Sequence, residues 1–296
     1  MHYPVIVFNN SHDPAERCAG GIVHARIGGL HSTVDSRKAP VQPGASSTRT
    51  RPERFEELYC IIASSQEPCT VQVSAECTAA VLCFMENYPG TIQDFKAVVL
   101  TTTPDKAAEG SIIKTFGALV RMGMSPSQAR LLVVQAPRDL PVDEVVPALI
   151  TYLKGQYPTD TPAVAVLHQS PAYSRVVEHQ LPVPAILDRA IDFEVLLREA
   201  RERGEDGQTL RQLSAKVLAQ RALLAQRSEI NDASHMLGLP AISQHAVLQP
   251  TLSDTEANHA AFSSSDATPA LAVPMPALVQ MGEVPAAGDR GESQHY

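Results

Sequence analysis

A chain of 296 residues, 44% hydrophobic and 5% aromatic, is long enough for one large domain or two small ones and has the composition of a folded globular protein. No apolar run approaches membrane-spanning length, which excludes a bundle of membrane helices. The formal charge of −8 is concentrated at one end, so it does not argue against a nucleic-acid partner for the nearly neutral remainder. The opening MHYPVIVFNN has no basic residue before its apolar run, unlike a secretory or transit peptide, and a cytoplasmic setting is expected. Within it, Tyr3 to Phe8 is a candidate for the central strand of an α/β sheet. Pro14 then suits the first position of a helix running to about Arg26, with Gly28 and Gly29 ending it. Leu30 to Val34 reads as a second strand, and Ser36 to Thr50, crowded with Pro, Gly, Ser and Thr, as a long mobile loop. Helical spacing at Phe55, Leu58, Ile61 and Ile62 places a helix over Pro52 to Ser64. A third strand is expected at Cys69 to Val73 and another helix at about Glu76 to Tyr88.

The stretch 93–137 is the most legible. Phe95 to Leu100 is a short valine-rich run bounded by polar residues, as in a strand buried on both faces. A helix follows with Thr103 as its cap, Pro104 at its first position and Asp105 at the positive end of the dipole. Ile112, Ile113, Phe116, Leu119 and Val120 give that helix one apolar face, and Gly123 stops it. Leu131 to Val134 returns as a buried strand, and two such strands joined by a helix pair in parallel through a right-handed crossover. Val142 to Leu153 reads as helical, with Pro147 a kink or boundary. Ala163 to Leu167 is another buried strand, and Pro182 to Leu187 an edge strand because of its prolines. Helices are expected over Asp192 to Arg203 and Gln208 to Leu237, separated by GEDG.

This alternation predicts a three-layer α/β fold with a mostly parallel sheet over 1–190 and a C-terminal helical extension over 191–239. Segment 240–296 has no lysine, one arginine (Arg290) and six acids, which hold five of the eight net negative charges. Its Ala, Ser, Pro and Gln show no sustained period, and it is expected to be a disordered tail. The five cysteines, Cys18, Cys60, Cys69, Cys77 and Cys83, include no CxxC pair and read as reduced thiols, mostly buried.

In an open parallel sheet, ligands sit beyond the carboxyl ends of the strands, so the turn after the first strand is where a cofactor would be sought. A phosphate-binding loop would read GxxxxGK[ST], with backbone N–H groups, a lysine and a hydroxyl around the phosphates and magnesium. Here the turn opens with Asn9, Asn10 and Ser11. The surviving glycines are Gly20 and Gly21, no hydroxyl follows them, and no lysine precedes Lys38. These five residues are the degenerate counterpart of a cofactor loop. A helix N-terminus near Asp13 and Pro14 would attract an anion, but Asp13 and Glu16 would repel it. On the third strand, Gln72 stands where nucleotide hydrolases place an acid to orient magnesium or water, with Glu76 just beyond. No catalytic residue or metal ligand is assigned, and the motifs do not support ATP with magnesium as cofactors.

His12, Cys18, His24 and His31 lack the short-spaced pair of a zinc site. No GxSxG elbow occurs. Arg211, Lys216, Arg221 and Arg227 form a basic stretch without intervening acids that could contact DNA phosphates in a salt-dependent way, although a solvated helix surface is the commoner meaning of such a run. Aromatic stacking residues are absent from it.

The sequence resembles the ParA-like P-loop ATPases of plasmid partition, in particular the StbB plasmid-stability proteins, loosely from Tyr3 to about Asp232. The resemblance is carried by VVLTTTPDKAAEGSIIKTFGALVRMGMSPSQARLLVV, with Pro104, Lys106, Ser111 with Thr115, Gly123 with Met124 and Pro126, and Arg130. Weaker echoes are PVIVFNNS, RPERFEEL and VQVSAECTAAVLCFMENYPGTIQDF. It implies a P-loop NTPase-type fold and a role in plasmid stability and DNA segregation. The departures fall on the loop lysine, its adjacent hydroxyl and the strand acid (here Gln72), so ATP hydrolysis does not carry over. The reading is a ParA/StbB-like protein acting through protein or DNA contacts without hydrolysis, as a homodimer or with a partner ATPase or adaptor, and with no membrane. The alternatives are an active ATPase with a non-standard phosphate loop and a repurposed structural protein unconnected with DNA.

Overall fold

Every residue of the first strand, Pro4–Phe8 (β1), is buried, as its unbroken apolar run requires of a strand covered on both faces. A computed structural model describes residues 3–36 and 47–240. After β1 the chain forms α1 (Pro14–Ile27), β2 (Leu30–Val34), β3 (Ser47–Thr50), α2 (Phe55–Ser64), β4 (Cys69–Val73), α3 (Thr78–Asn87), β5 (Ala97–Thr102) and α4 (Lys106–Arg121). It continues with β6 (Ala129–Ala136), α5 (Val142–Val145), α6 (Pro147–Gln156), β7 (Ala163–His168), α7 (Pro171–Glu178), α8 (Val183–Leu187), α9 (Phe193–Glu202), α10 (Gly207–Ala225) and α11 (Arg227–Met236). Among the described residues the strands make one seven-stranded sheet in the order β3-β2-β4-β1-β5-β6-β7. Every pairing is parallel.

That order explains the layers. The connection from β1 to β2 runs toward one edge, whereas those from β3 to β4, β4 to β5, β5 to β6 and β6 to β7 run the other way. Crossovers of one hand put helices from opposite directions on opposite faces. Accordingly α2, α3, α4 and α6 share one core with Ile6, Phe8, Leu100 and Leu131. α1 lies on the other face with Val5, Val7, Val99 and Leu132. One helix cannot cover that face, and α7 to α11 complete it, with Tyr173, Ile186, Leu223 and Ile230 buried in the same core as α1. Glu229 of α11 fastens this layer to the sheet: it accepts from the His168 backbone N–H and pairs with Arg138 at 3.4 Å.

The expected three-layer parallel architecture is what the chain forms, and the differences have local causes. β3 falls within the stretch read as a loop; STRT has no apolar residue for periodicity to register, and it joins the sheet at its edge, where Thr48 meets Ser32 through their hydroxyls at 2.6 Å. The rest of that loop, 37–46, and the tail beyond 240 lie outside the described residues. Pro182 to Leu187 is not an edge strand. Val183, Ile186 and Leu187 recur at helical spacing and are buried against α1 and its neighbours, and Pro184 in the first turn loses no helical hydrogen bond. The cap of α4 is Asp105, not Thr103: its carboxylate takes the Ala107 and Ala108 N–H groups, and the Thr103 hydroxyl donates to it at 2.6 Å. Pro147 is a boundary between α5 and α6, and the last long helix is divided at Gln226. All five cysteines are free; Cys18, Cys69 and Cys77 are buried, Cys60 and Cys83 exposed.

Between α1 and β2 the rings of His24 and His31 stack with centroids 4.7 Å apart. Burial lowers the pKa of His24 to about 4 and that of His31 to about 3, the second helped by its neighbour. Both therefore fold neutral. Their contribution is complete above pH 6.5 and is lost as pH falls toward 4 and then 3, by at most about 1.4 kcal/mol per pH unit for each ring. Replacing both by phenylalanine is expected to flatten the acid limb of urea-unfolding stability between pH 6.5 and 4.5. An unchanged slope would show that the pair does not govern it.

Candidate functional site

The carboxyl ends of β1, β4 and β5 meet where the chain reverses its direction across the sheet, the position at which this architecture receives ligands. What occupies that position here is a side chain of the protein. Glu16, in the first turn of α1, is fully buried. Its Oε2 accepts from the backbone N–H groups of Asn10 at 2.6 Å and Ser11 at 2.9 Å and from the Thr101 hydroxyl at 2.8 Å. Its Oε1 accepts from the Ser11 hydroxyl at 2.7 Å. The donors that a phosphate would need from this turn are thus already turned onto a carboxylate from the same chain.

The rest of the turn is held as firmly. Asn10 donates through Nδ2 to the Thr101 carbonyl at 2.6 Å, and its Oδ1 accepts from Thr115 at 3.2 Å and, more distantly, Ser111 at 3.5 Å. Ser111 and Thr115, part of the motif that carries the resemblance, therefore clamp the first turn from α4. Asn9 is buried, its N–H donating to the Val73 carbonyl. Asp13 caps α1 by accepting from the Ala15 N–H at 2.7 Å. The helices that follow β1 and β5, α1 and α4, are thus capped by aspartates, which oppose the positive pole that would draw an anion. Hydrogen bonding from Thr103 and the Ala108 and Ala107 N–H groups holds the Asp105 carboxyl below its ordinary range. A bulge at the end of β6 turns Gln135, at φ 60°, toward this site; its amide lies 3.5 Å from Asp13 and 3.4 Å from the Ser170 N–H.

Gly20 and Gly21, set down from the sequence as remnants of a cofactor loop, are in mid-helix and serve packing. A Cβ on Gly20 would lie 2.2 Å from the Gln72 side chain, and one on Gly21 would lie 2.9 Å from Val183. Gln72 is turned toward α1. Its Nε2 donates to the Arg17 carbonyl at 3.0 Å and the Glu16 carbonyl at 3.3 Å, fixing α1 to β4. Glu76 lies 3.4 Å from exposed His12. Of the five loop residues, only Asn9, Asn10 and Ser11 belong to the turn. The spacing Asp13-Pro14-Ala15-Glu16 is that of a capping box, in which Glu16 would take the Asp13 N–H; that N–H goes instead to Ser11 Oγ, and no sequence signal marked the bonds of Glu16 to Asn10 and Ser11. The contribution of Thr101, 85 residues further along the chain, had none either.

The basic stretch is dispersed. Residues five apart on a helix are turned by about 140°, so Arg211, Lys216 and Arg221 of α10 face three directions. Arg221 pairs with Glu194 at 2.7 Å, and the Lys216 ammonium sits 5.7 Å from the centre of the Phe193 ring. Arg227 opens α11 and lies near Arg26, whose pKa is lowered by burial first and by Arg227 second. Among the described residues, no helix is long and apolar enough to cross a membrane.

No family model matches the chain, and no curated protein matches it. Among solved structures it is similar to a ParA family ATPase from Chlorobium tepidum, at 11% identity and a TM-score of 0.40, covering 77% of this chain and 98% of that one. It is also similar to the MinD cell division protein of Aquifex aeolicus, at 11% identity and a TM-score of 0.39 over 75% of this chain and 97% of that one. The MinC:MinD cell division protein complex of the same organism gives 9% identity and a TM-score of 0.39, covering 75% of this chain and 96% of the other.

Proposed function

We propose that this chain is a plasmid-partition protein of the ParA/StbB kind that does not hydrolyse ATP and acts through contacts with other proteins or DNA, as a homodimer or beside an active ATPase. The observation that carries the reading is the Glu16 carboxylate, which takes two backbone N–H groups and two hydroxyls in the turn after β1, where a phosphate would need such donors. A nucleotide would have to displace a buried, fully hydrogen-bonded anion and then sit among Asp13 and Asp105 without a loop lysine. The sequence resemblance supports the partition setting, and the scattering of the basic residues of α10 favours protein over DNA as the contact. Titration of the full chain with a fluorescent ATP analogue and magnesium is expected to give no saturable signal and no phosphate release. Saturable magnesium-dependent binding with turnover would replace this reading by that of an ATPase with a non-standard loop.

A further inference from the structure

The sheet ends at β3, and its outer edge is chemically distinctive. The Thr50 carbonyl accepts from the Asp35 N–H, so Thr50 turns its main chain toward β2. Alternation along a parallel strand then directs the N–H and C=O of Arg49 outward, away from the sheet. Beside this edge, between β3 and α2, runs a groove of about 510 Å³. Leu58 and Ile61 supply its apolar surface, and Ile61 is 56% exposed. Arg49, Arg51 and Arg54 line it as well. Glu57 holds Arg54 through bonds at 3.1 and 3.0 Å, leaving Arg49 and Arg51 without a carboxylate partner among the described residues. Thr48 meets Ser32, and β3 places Arg49 on the opposite face of the sheet from Thr48 and Thr50.

We propose that this edge docks an extended acidic segment of another protein, added as an eighth strand whose apolar residues lie over Ile61 and whose alternate acidic residues reach Arg49 and Arg51. Free main-chain groups at a sheet edge are satisfied by another strand, and side chains of alternate sign of polarity give such pairing its specificity. A second copy of this chain is a poor occupant: edge-to-edge pairing about a two-fold axis would set Arg49 and the neighbouring Arg51 against their own copies, and like charges facing across strands are destabilising. A nucleic-acid backbone would meet the arginines but leave Ile61 and the outward main chain of Arg49 unused. The inference names a partner class for the protein-contact reading without resting on nucleotide silence. Nucleotide turnover with peptide binding intact would remove the proposed function alone, and the reverse result would remove the docking edge alone.

The test uses the full chain and a fluorescein-labelled peptide of alternating glutamate and valine, read by anisotropy, with a lysine-for-glutamate peptide and a duplex DNA as comparators. Saturable binding of the acidic peptide is expected, with the lysine peptide at least about tenfold weaker. The double variant Arg49→Glu/Arg51→Glu should invert that preference, and Ile61→Ser should weaken the acidic peptide several-fold while leaving the salt dependence unchanged. These residues are exposed, and unfolding curves like that of the parent chain will show that the variants fold. Absence of saturable binding, or binding unaffected by Arg49→Glu/Arg51→Glu, would reduce the arginines to guards against edge aggregation and overturn the proposal. Duplex DNA that displaces the peptide and is itself lost in the double variant would overturn it in favour of a phosphate-binding edge.

Discussion

Glu16→Ala is expected to lower the unfolding free energy by about 3–5 kcal/mol, because several buried donors lose their common acceptor at once. The residue is fully buried, and its loss leaves the N–H groups of Asn10 and Ser11 and the hydroxyls of Ser11 and Thr101 without their acceptor. Each buried donor left unsatisfied costs about 1–3 kcal/mol, reduced where a hydroxyl can turn elsewhere, as Thr101 can toward the Phe8 carbonyl at 3.2 Å. Glu16→Gln should be milder. Three of the four donors converge on Oε2, so a glutamine can keep its oxygen there and present its amide to Ser11 Oγ, which can reverse its role and accept; about 1–2 kcal/mol is then expected. Added formate or acetate should restore part of the stability of Glu16→Ala, beyond a chloride control of equal ionic strength, because the vacated position is lined with donors. Urea unfolding measures all three. Should alanine and glutamine cost the same, or alanine less than about 1 kcal/mol, the carboxylate would not be what closes the turn.

How far this site was legible follows from the range of its interactions. β1, β5, α4 and β6 were placed within two residues from valine-rich runs and three-to-four spacing, because burial on both faces or on one stripe leaves a local pattern. The short edge strand β3 is polar and left none, whereas in α8 the helical spacing of Val183, Ile186 and Leu187 was outweighed by two prolines. That the turn after β1 carries no lysine is plain from the sequence. What fills the turn is not, since Glu16 acquires its role only when Thr101 arrives from β5 and Ser111 and Thr115 secure Asn10 from α4. The four basic residues of the C-terminal helices illustrate the converse. Closeness in the sequence made a cluster of them, but a spacing of five turns Arg211, Lys216 and Arg221 apart around α10, and Arg227 opens the next helix.

Gly20→Ala is the second substitution expected to act strongly, with a net loss of about 2–3 kcal/mol. An alanine methyl would stand 2.2 Å from Gln72 Oε1 and 2.7 Å from Gln72 Cβ, and the latter atom is too near the backbone to swing away. Overpacking of this kind costs about 1–3 kcal/mol, and forcing Gln72 aside also weakens its bonds to the Glu16 and Arg17 carbonyls, by about 1 kcal/mol each. The better helix propensity of alanine returns only about 1 kcal/mol. Gln72→Ala removes Oε1 but keeps the Cβ 2.7 Å from the added methyl, so Gly20→Ala/Gln72→Ala should recover only part of the loss, with a coupling energy of about 1 kcal/mol in a double-mutant cycle. Simple additivity would mean that the close approach of α1 to β4 does not limit this site. Gln72→Glu sharpens the point: an ionised carboxylate cannot donate to two carbonyls and would face them as a third acceptor. It should destabilise the chain by about 2–3 kcal/mol and confer no nucleotide binding, since the amide of Gln72 holds in place the helix whose glutamate closes the turn.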